Sequence, residues 1–185
     1  MRLDRTQALT RDRGFTMLEA LIAILILSIG LLGLAGIFVS GAQYTKSANL
    51  RTLATQLAYD MADRMRANVP ALMILNPAKP WYHMPTAVHT NCYQAAPICT
   101  SQQMAQNDFY EWIDPASPSS VKSVLPNGNG IICLDSTPND GTWDGTTLTD
   151  GCDELGTMYA IKVWWLDDRK NNSYQRFVTS LQPQP

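Results

Sequence analysis

Glu19 is the one charged side chain between Arg13 and Lys46, and 26 uncharged, mostly apolar residues follow it. A carboxylate in hydrocarbon costs on the order of 2.5–3.5 kcal/mol on insertion scales, so it needs a partner or an exit to water. Near the start of the run, Glu19 can reach the interface by extending along the helix. A second route follows from its neighbours in "RDRGFTMLEA", residues 11–20. If the chain is cut between Gly14 and Phe15, Phe15 carries a new α-amino group and Glu19 becomes the fifth residue of the mature chain. The carboxylate then meets a cation, its own or that of a neighbouring copy, and the attraction offsets its desolvation.

The other residues able to do chemistry lie far along the chain. Cys92, Cys99, Cys133 and Cys152 are an even set in the second half, which beyond a membrane segment reads as two disulfides in an oxidising compartment. Spacing favours Cys92–Cys99 and Cys133–Cys152, although four cysteines allow three pairings. A bridge closing the loop from Cys133 to Cys152 contributes roughly 3 kcal/mol in the chain-entropy account. A zinc site with His83 or His89 among the ligands is the rival, and it lacks a CxxC knuckle. Both histidines fall in irregular sequence without the strand–turn–helix setting of a nucleophile, so no catalytic residue is expected. Asp135, Asp140, Asp144, Asp150, Asp153 and Glu154 offer oxygens to calcium but lack regular loop spacing, and they read as solvated turn residues. With no phosphate-cradling glycine motif either, no metal and no cofactor are expected. The net charge is −2, made of +2 over residues 1–14 and −4 over the remainder. An acidic balance argues against a nucleic-acid partner, which selects a basic face.

The elements that must position these residues begin with the apolar run. As a helix, 26 residues span about 39 Å, more than the ~30 Å hydrocarbon core. Four arginines precede it (Arg2, Arg5, Arg11, Arg13), which places residue 1 in the cytoplasm and the C-terminal part across the membrane. A secretory signal peptide cut near Val39-Ser40-Gly41 is the competitor, but its apolar region is ordinarily shorter and carries no acid. Beyond the run, Leu50, Leu53, Ala54, Leu57, Ala58, Met61, Ala62 and Met65 form one apolar helical stripe, with Asp60 and Arg64 spaced for an i, i+4 pair. No proline precedes Pro70, so one helix is expected over 15–67, ending at Asn68-Val69-Pro70. Gly30, Gly33, Gly36 and Gly41, with Ser28 and Ala35, permit close helix–helix approach within the first half.

From Pro70 the composition turns to proline, asparagine, threonine and aromatics, and residues 70–100, which show no period, are expected to run over the surface, stapled by Cys92–Cys99. "SQQMAQNDFYEW", 101–112, reads as a short helix, and "SPSSVKSVLPNGNG" as a brief helix ended by Pro126 and a glycine turn. Strands are expected at 131–134, 158–167 and 173–181, the last two as an antiparallel hairpin about "DRKNN". In a regular strand Trp164 and Trp165 face opposite ways, so only one of them enters a helix–sheet core. The fold class is therefore α+β, a long N-terminal helix with a transmembrane half and an amphipathic half packed on a small antiparallel sheet.

The stretch "GFTMLEALIAILILSIGLLGLAGI", residues 14–37, resembles the class III signal and N-terminal helix of type IV pilins and pseudopilins. The resemblance implies a pilin-like fold and cleavage by a membrane prepilin peptidase after Gly14. It further implies N-methylation of Phe15 and docking of each subunit in the filament through Glu19. It divides the chain into a leader over 1–14, a transmembrane and assembly helix over 15–45, an amphipathic helix over 46–69 and a disulfide-stapled periplasmic head over 70–185. "MADRMRAN", "CTSQQMAQNDFYEWI" and "LPNGNGIICLD" are similar to the PilV branch of minor pilins, which implies a subunit that primes pilus assembly near the tip. The expected partners are the prepilin peptidase, other minor and major pilins and the inner membrane. A minor pseudopilin of type II secretion is the alternative, and a head that binds a host surface or DNA is another, the acidic balance arguing against DNA.

Overall fold

The computed structural model describes residues 14–74, 82, 88–93 and 99–183, so the expectations for the leader up to Arg13 and for His83 lie outside the described residues. The first helix, α1, is Met17–Ala67, and the chain forms two compact units that divide within it, at Tyr44 and Thr45.

In the first unit every side chain from Gly14 to Tyr44 is exposed. Helix fits this segment because lipid offers the backbone no hydrogen bonds, and an α-helix satisfies its own. Its hydroxyls obey the same constraint. Ser28 donates to the Ile24 carbonyl at 2.7 Å and Ser40 to the Gly36 carbonyl at 3.1 Å, so neither carries an unpaired donor into an apolar medium.

In the second unit the apolar stripe of α1 turns inward. Leu50, Ala54, Ala58, Met61, Ala62 and Met65 are buried, with Leu53 and Leu57 packed at the margin. The helix ends at Ala67, but the chain does not then wander. A second helix, α2 (Val69–Leu72), carries Pro70 in its first turn, where a missing N–H forfeits no bond, and it buries Ala71 and Leu72. The Asn68 side chain donates to the Ser101 carbonyl at 2.8 Å and ties this corner to α3 (Ser101–Ile113). Tyr82 is also buried in the core. The aperiodic stretch thus supplies core residues at three described positions, which corrects the expectation of a surface excursion.

Thr100 caps α3 through a reciprocal box with Gln103. The helix buries Ala105, Phe109 and Trp112, while Met104 faces solvent. The Trp112 indole N–H donates to the Leu57 carbonyl of α1 at 2.9 Å. A short helix, α4 (Val121–Val124), precedes the first strand.

The sheet has three antiparallel strands in the order β1-β4-β5: β1 is Asn129–Leu134, β4 is Tyr159–Asp168 and β5 is Ser173–Leu181. Between β1 and β4 a two-stranded ribbon, β2 (Thr142–Trp143) with β3 (Leu148–Thr149), was not foreseen. Alternation along β4 sends Tyr159, Ile161, Val163 and Trp165 into the core shared with α1 and α3. Trp164 takes the opposite face and is nonetheless 2% exposed. That second face, with Ile131, Cys133, Ala160 and Lys162, is buried beneath the segment joining β1 to β4.

Candidate processing and assembly site

Gly14, Phe15 and Thr16 precede the first helical residue. The helix starts at Met17, close to the expected Phe15, and the start has a local cause. The Glu19 N–H donates to Thr16 Oγ1 at 3.3 Å and to the Thr16 carbonyl at 3.1 Å, so Thr16 caps α1. The pattern Thr-x-x-Glu, readable in the sequence, is the signal for it. As a result the Gly14–Phe15 peptide bond lies outside the helix, and Phe15 is 82% exposed. Both residues flanking that bond are exposed.

Glu19 sits in the first turn of α1, where the free N–H groups favour a negative charge. Its side chain is exposed, as are Leu18, Leu21 and Ile22 around it. A Cβ added at Gly30, Gly33, Gly36 or Gly41 would meet nothing within 4 Å, so the backbone there is open to approach. Among the described residues, α1 is the one helix long and apolar enough to cross a membrane.

Residues 9–35 match the family model of the prokaryotic N-terminal methylation motif. Residues 39–110 match the Tt1218-like family, described as type IV pilin Tt1218. The chain is similar to type IV pilins. No curated protein and no solved structure gives a significant match. The two family matches support a pilin or pseudopilin subunit, and pilins are structural rather than enzymatic. The methylation motif implies processing by prepilin peptidase and incorporation with other pilins, and with the apolar helix it supports membrane anchoring.

In the pilin-like head all four cysteines are paired, Cys92 with Cys99 (Cα–Cα 4.7 Å) and Cys133 with Cys152 (6.1 Å). A disulfide sulfur is no thiolate, so none of the four can serve zinc. His89 is engaged locally, its Nε2 lying 2.7 Å from Gln106 Oε1. Replacing both Cys133 and Cys152 with serine is expected to lower the unfolding free energy of the head by about 3 kcal/mol. Denaturant unfolding of the full chain in detergent measures it, and a change under 1 kcal/mol would contradict this account of the loop.

Of the acidic residues 135–154, Asp135 departs from the expectation of a solvated turn residue. Asp135 is fully buried against Lys162, also fully buried, with Oδ2 2.5 Å from Nζ as a close ion pair while Oδ1 accepts from the Thr137 N–H. The ammonium also donates to Asp140 Oδ1 at 2.8 Å and to the carbonyls of Asp150 and Gly151 at 3.0 and 3.1 Å. Its hydrogen bond holds the Asp140 carboxyl below its ordinary range. Two of the six acids are therefore bound to a lysine, while Asp144 and Asp153 organise turns through Thr146, Thr147, Ser136 and Leu155.

On the other side of the head, Arg64 pairs with Asp60 at 3.0 Å, as its spacing predicts, and also with Glu111 at 3.0 Å and Asp108 at 3.7 Å. Burial pushes the Asp108 carboxyl up to about 6, with Arg64 opposing the rise and Glu111 adding to it. An acid raised in the fold binds its proton more tightly there than in the unfolded chain. Stability therefore falls as pH rises from 3.8 to about 6, and above that window the loss is complete. The melting temperature is expected to be higher at pH 5 than at pH 7.5, and Asp108→Asn to flatten the difference. A profile unchanged by the substitution would refute the assignment.

Proposed function

We propose that the chain is a minor type IV pilin, a structural subunit that helps prime pilus assembly and enters the filament near its tip. The carrying observation is a Gly14–Phe15 bond held outside the helix, with Glu19 one turn into a long, wholly exposed apolar segment. On this reading prepilin peptidase cuts after Gly14 at the cytoplasmic face and the Phe15 amine is methylated. Residues 15–45 stay in the inner membrane with the head, 70–185, in the periplasm. During assembly the Glu19 carboxylate pairs with an N-terminal amine, so that two charges leave water together rather than singly. The disulfides agree with an oxidising compartment. The PilV-like stretches of the head support the minor role, and the Tt1218-like match, described as a type IV pilin, favours a pilus over a secretion pseudopilus. Immunodetection in sheared pili tests this. The chain is expected at a small fraction of the major subunit, with piliation lost on deletion and protein secretion retained. Retained piliation with lost secretion would favour the type II minor pseudopilin.

A further inference from the structure

We propose that Lys162 and Asp135 condense into an intramolecular amide, a covalent cross-link between the end of β1 and the middle of β4. Both side chains are 0% exposed, and Nζ lies 2.5 Å from Asp135 Oδ2. That contact is not a hydrogen bond, since Oδ2 is buried without a hydrogen-bond partner among the described residues. The N–H groups of the ammonium go elsewhere, to Asp140 Oδ1 at 2.8 Å and to the Asp150 and Gly151 carbonyls at 3.0 and 3.1 Å. The nitrogen is therefore held against a carboxyl group that none of its hydrogens addresses. The remaining groups are those that amide formation requires. Asp135 Oδ1 accepts from the Thr137 N–H at 2.9 Å, a donor placed where an attacked carbonyl develops negative charge. Asp140 touches Nζ through Oδ1, while its Oδ2 accepts from the Thr137 hydroxyl at 2.9 Å, which fixes it as a proton carrier. Burial of the reacting pair excludes the solvent that would hydrolyse the product. The Asp140 side chain is 47% exposed and gives the released water a way out.

The step conserves atoms and electrons. Asp140 relays a first proton from Nζ to Asp135 Oδ2, which leaves an amine beside a carboxylic acid. The Nζ lone pair bonds to Asp135 Cγ, and the carbonyl π pair moves onto Oδ1. A second proton then passes through Asp140 from Nζ to Oδ2. The pair on Oδ1 re-forms the carbonyl, the Cγ–Oδ2 bond breaks, and Oδ2 departs as water. The third proton stays on the amide nitrogen. Nothing is oxidised or reduced. The reaction starts from the folded ion pair, so a freshly refolded chain carries that pair and its energetics, and the amide accumulates afterwards. Because the new bond lies beside Cys133–Cys152, it keeps β1 joined to β4 when the disulfide is reduced.

The test is peptide mapping by mass spectrometry of the full chain, purified from its own cells and then reduced. Trypsin is expected not to cut after Lys162, so that residues 123–169 appear as one peptide lighter by one water. Chymotryptic cleavage at Trp143 and Tyr159 is expected to leave the fragments bearing Asp135 and Lys162 joined. Lys162→Arg keeps a cation and removes the primary amine, and is expected to show full mass. Asp140→Asn keeps both reacting groups. Refolded in detergent from inclusion bodies, it is expected to form the bond about a hundredfold more slowly than wild type refolded alongside it. Cleavage after Lys162 at full mass in the wild type overturns the cross-link. Loss of water within 123–162 with Lys162 still cut places the dehydration at an Asp-Gly bond, and also overturns it. Equal rates in Asp140→Asn and the wild type overturn Asp140 as the proton carrier.

Discussion

Glu19→Ala is expected to leave cleavage after Gly14 intact and to reduce the chain in sheared pili roughly a hundredfold. The two halves of this expectation separate because they depend on different groups. Cleavage, as proposed, uses the Gly14–Phe15 bond, which stays outside α1 so long as Thr16 caps it, and alanine keeps the backbone N–H that Thr16 Oγ1 accepts from. Assembly, on the proposed reading, uses the carboxylate. Removing one member of a buried ion pair costs about 3–5 kcal/mol, because the partner amine is left in hydrocarbon without a counter-charge. Glu19→Gln should fail like alanine, whereas Glu19→Asp, which keeps the charge on a shorter arm, should recover part of the wild-type level. An immunoblot of membranes reports loss of residues 1–14, and one of sheared pili reports incorporation. Wild-type incorporation of the alanine variant would remove the carboxylate from the mechanism.

The second large effect concerns Lys162. Truncation to alanine leaves Asp135 charged and fully buried, strips Asp140 of its ammonium and frees the Asp150 and Gly151 carbonyls. The expected loss is about 3–5 kcal/mol in unfolding free energy, with the disulfides intact. A pair broken on one side is worse than a pair removed on both. Lys162→Met combined with Asp135→Leu should therefore recover most of the loss, since the two methylene-rich side chains fill the space without charge. Denaturant unfolding of the three chains measures this. A loss under 1 kcal/mol for the alanine variant would mean that the ammonium does not hold the β1–β4 segment to the sheet.

The contrast between these two residues shows where the sequence is informative. Glu19 stands alone in an apolar run, so its cost is visible without any fold. Lys162 lies in "AIKVWW", where alternation reads it as a solvent-facing residue on the outer side of a strand. It is buried because the segment carrying Asp135, Asp140 and Asp150 folds back over that face, and no local pattern announces contacts made more than ten residues away. The same cover explains why both tryptophans are buried although only Trp165 joins the core with α1.

Long periodic elements were legible. The stripe from Leu50 to Met65, the α3 helix and strands β1, β4 and β5 all repeat over enough residues to fix their type. The ribbon of β2 and β3 was not, since two-residue strands have no period to read. Pro70 was misleading in a specific way: it does mark the end of α1, but as the first turn of α2 rather than the start of a loop. The bulge that turns Asp167 toward Ser47 likewise depends on the pairing register with β5 and leaves no trace in composition.

The most direct test of the account is the N-terminus of the mature chain, read by mass spectrometry of protein isolated from its own cells. The prediction is N-methylated Phe15 as the first residue, with the apolar helix retained. A mature chain that keeps Met1, or one that begins near Ala42, would contradict it.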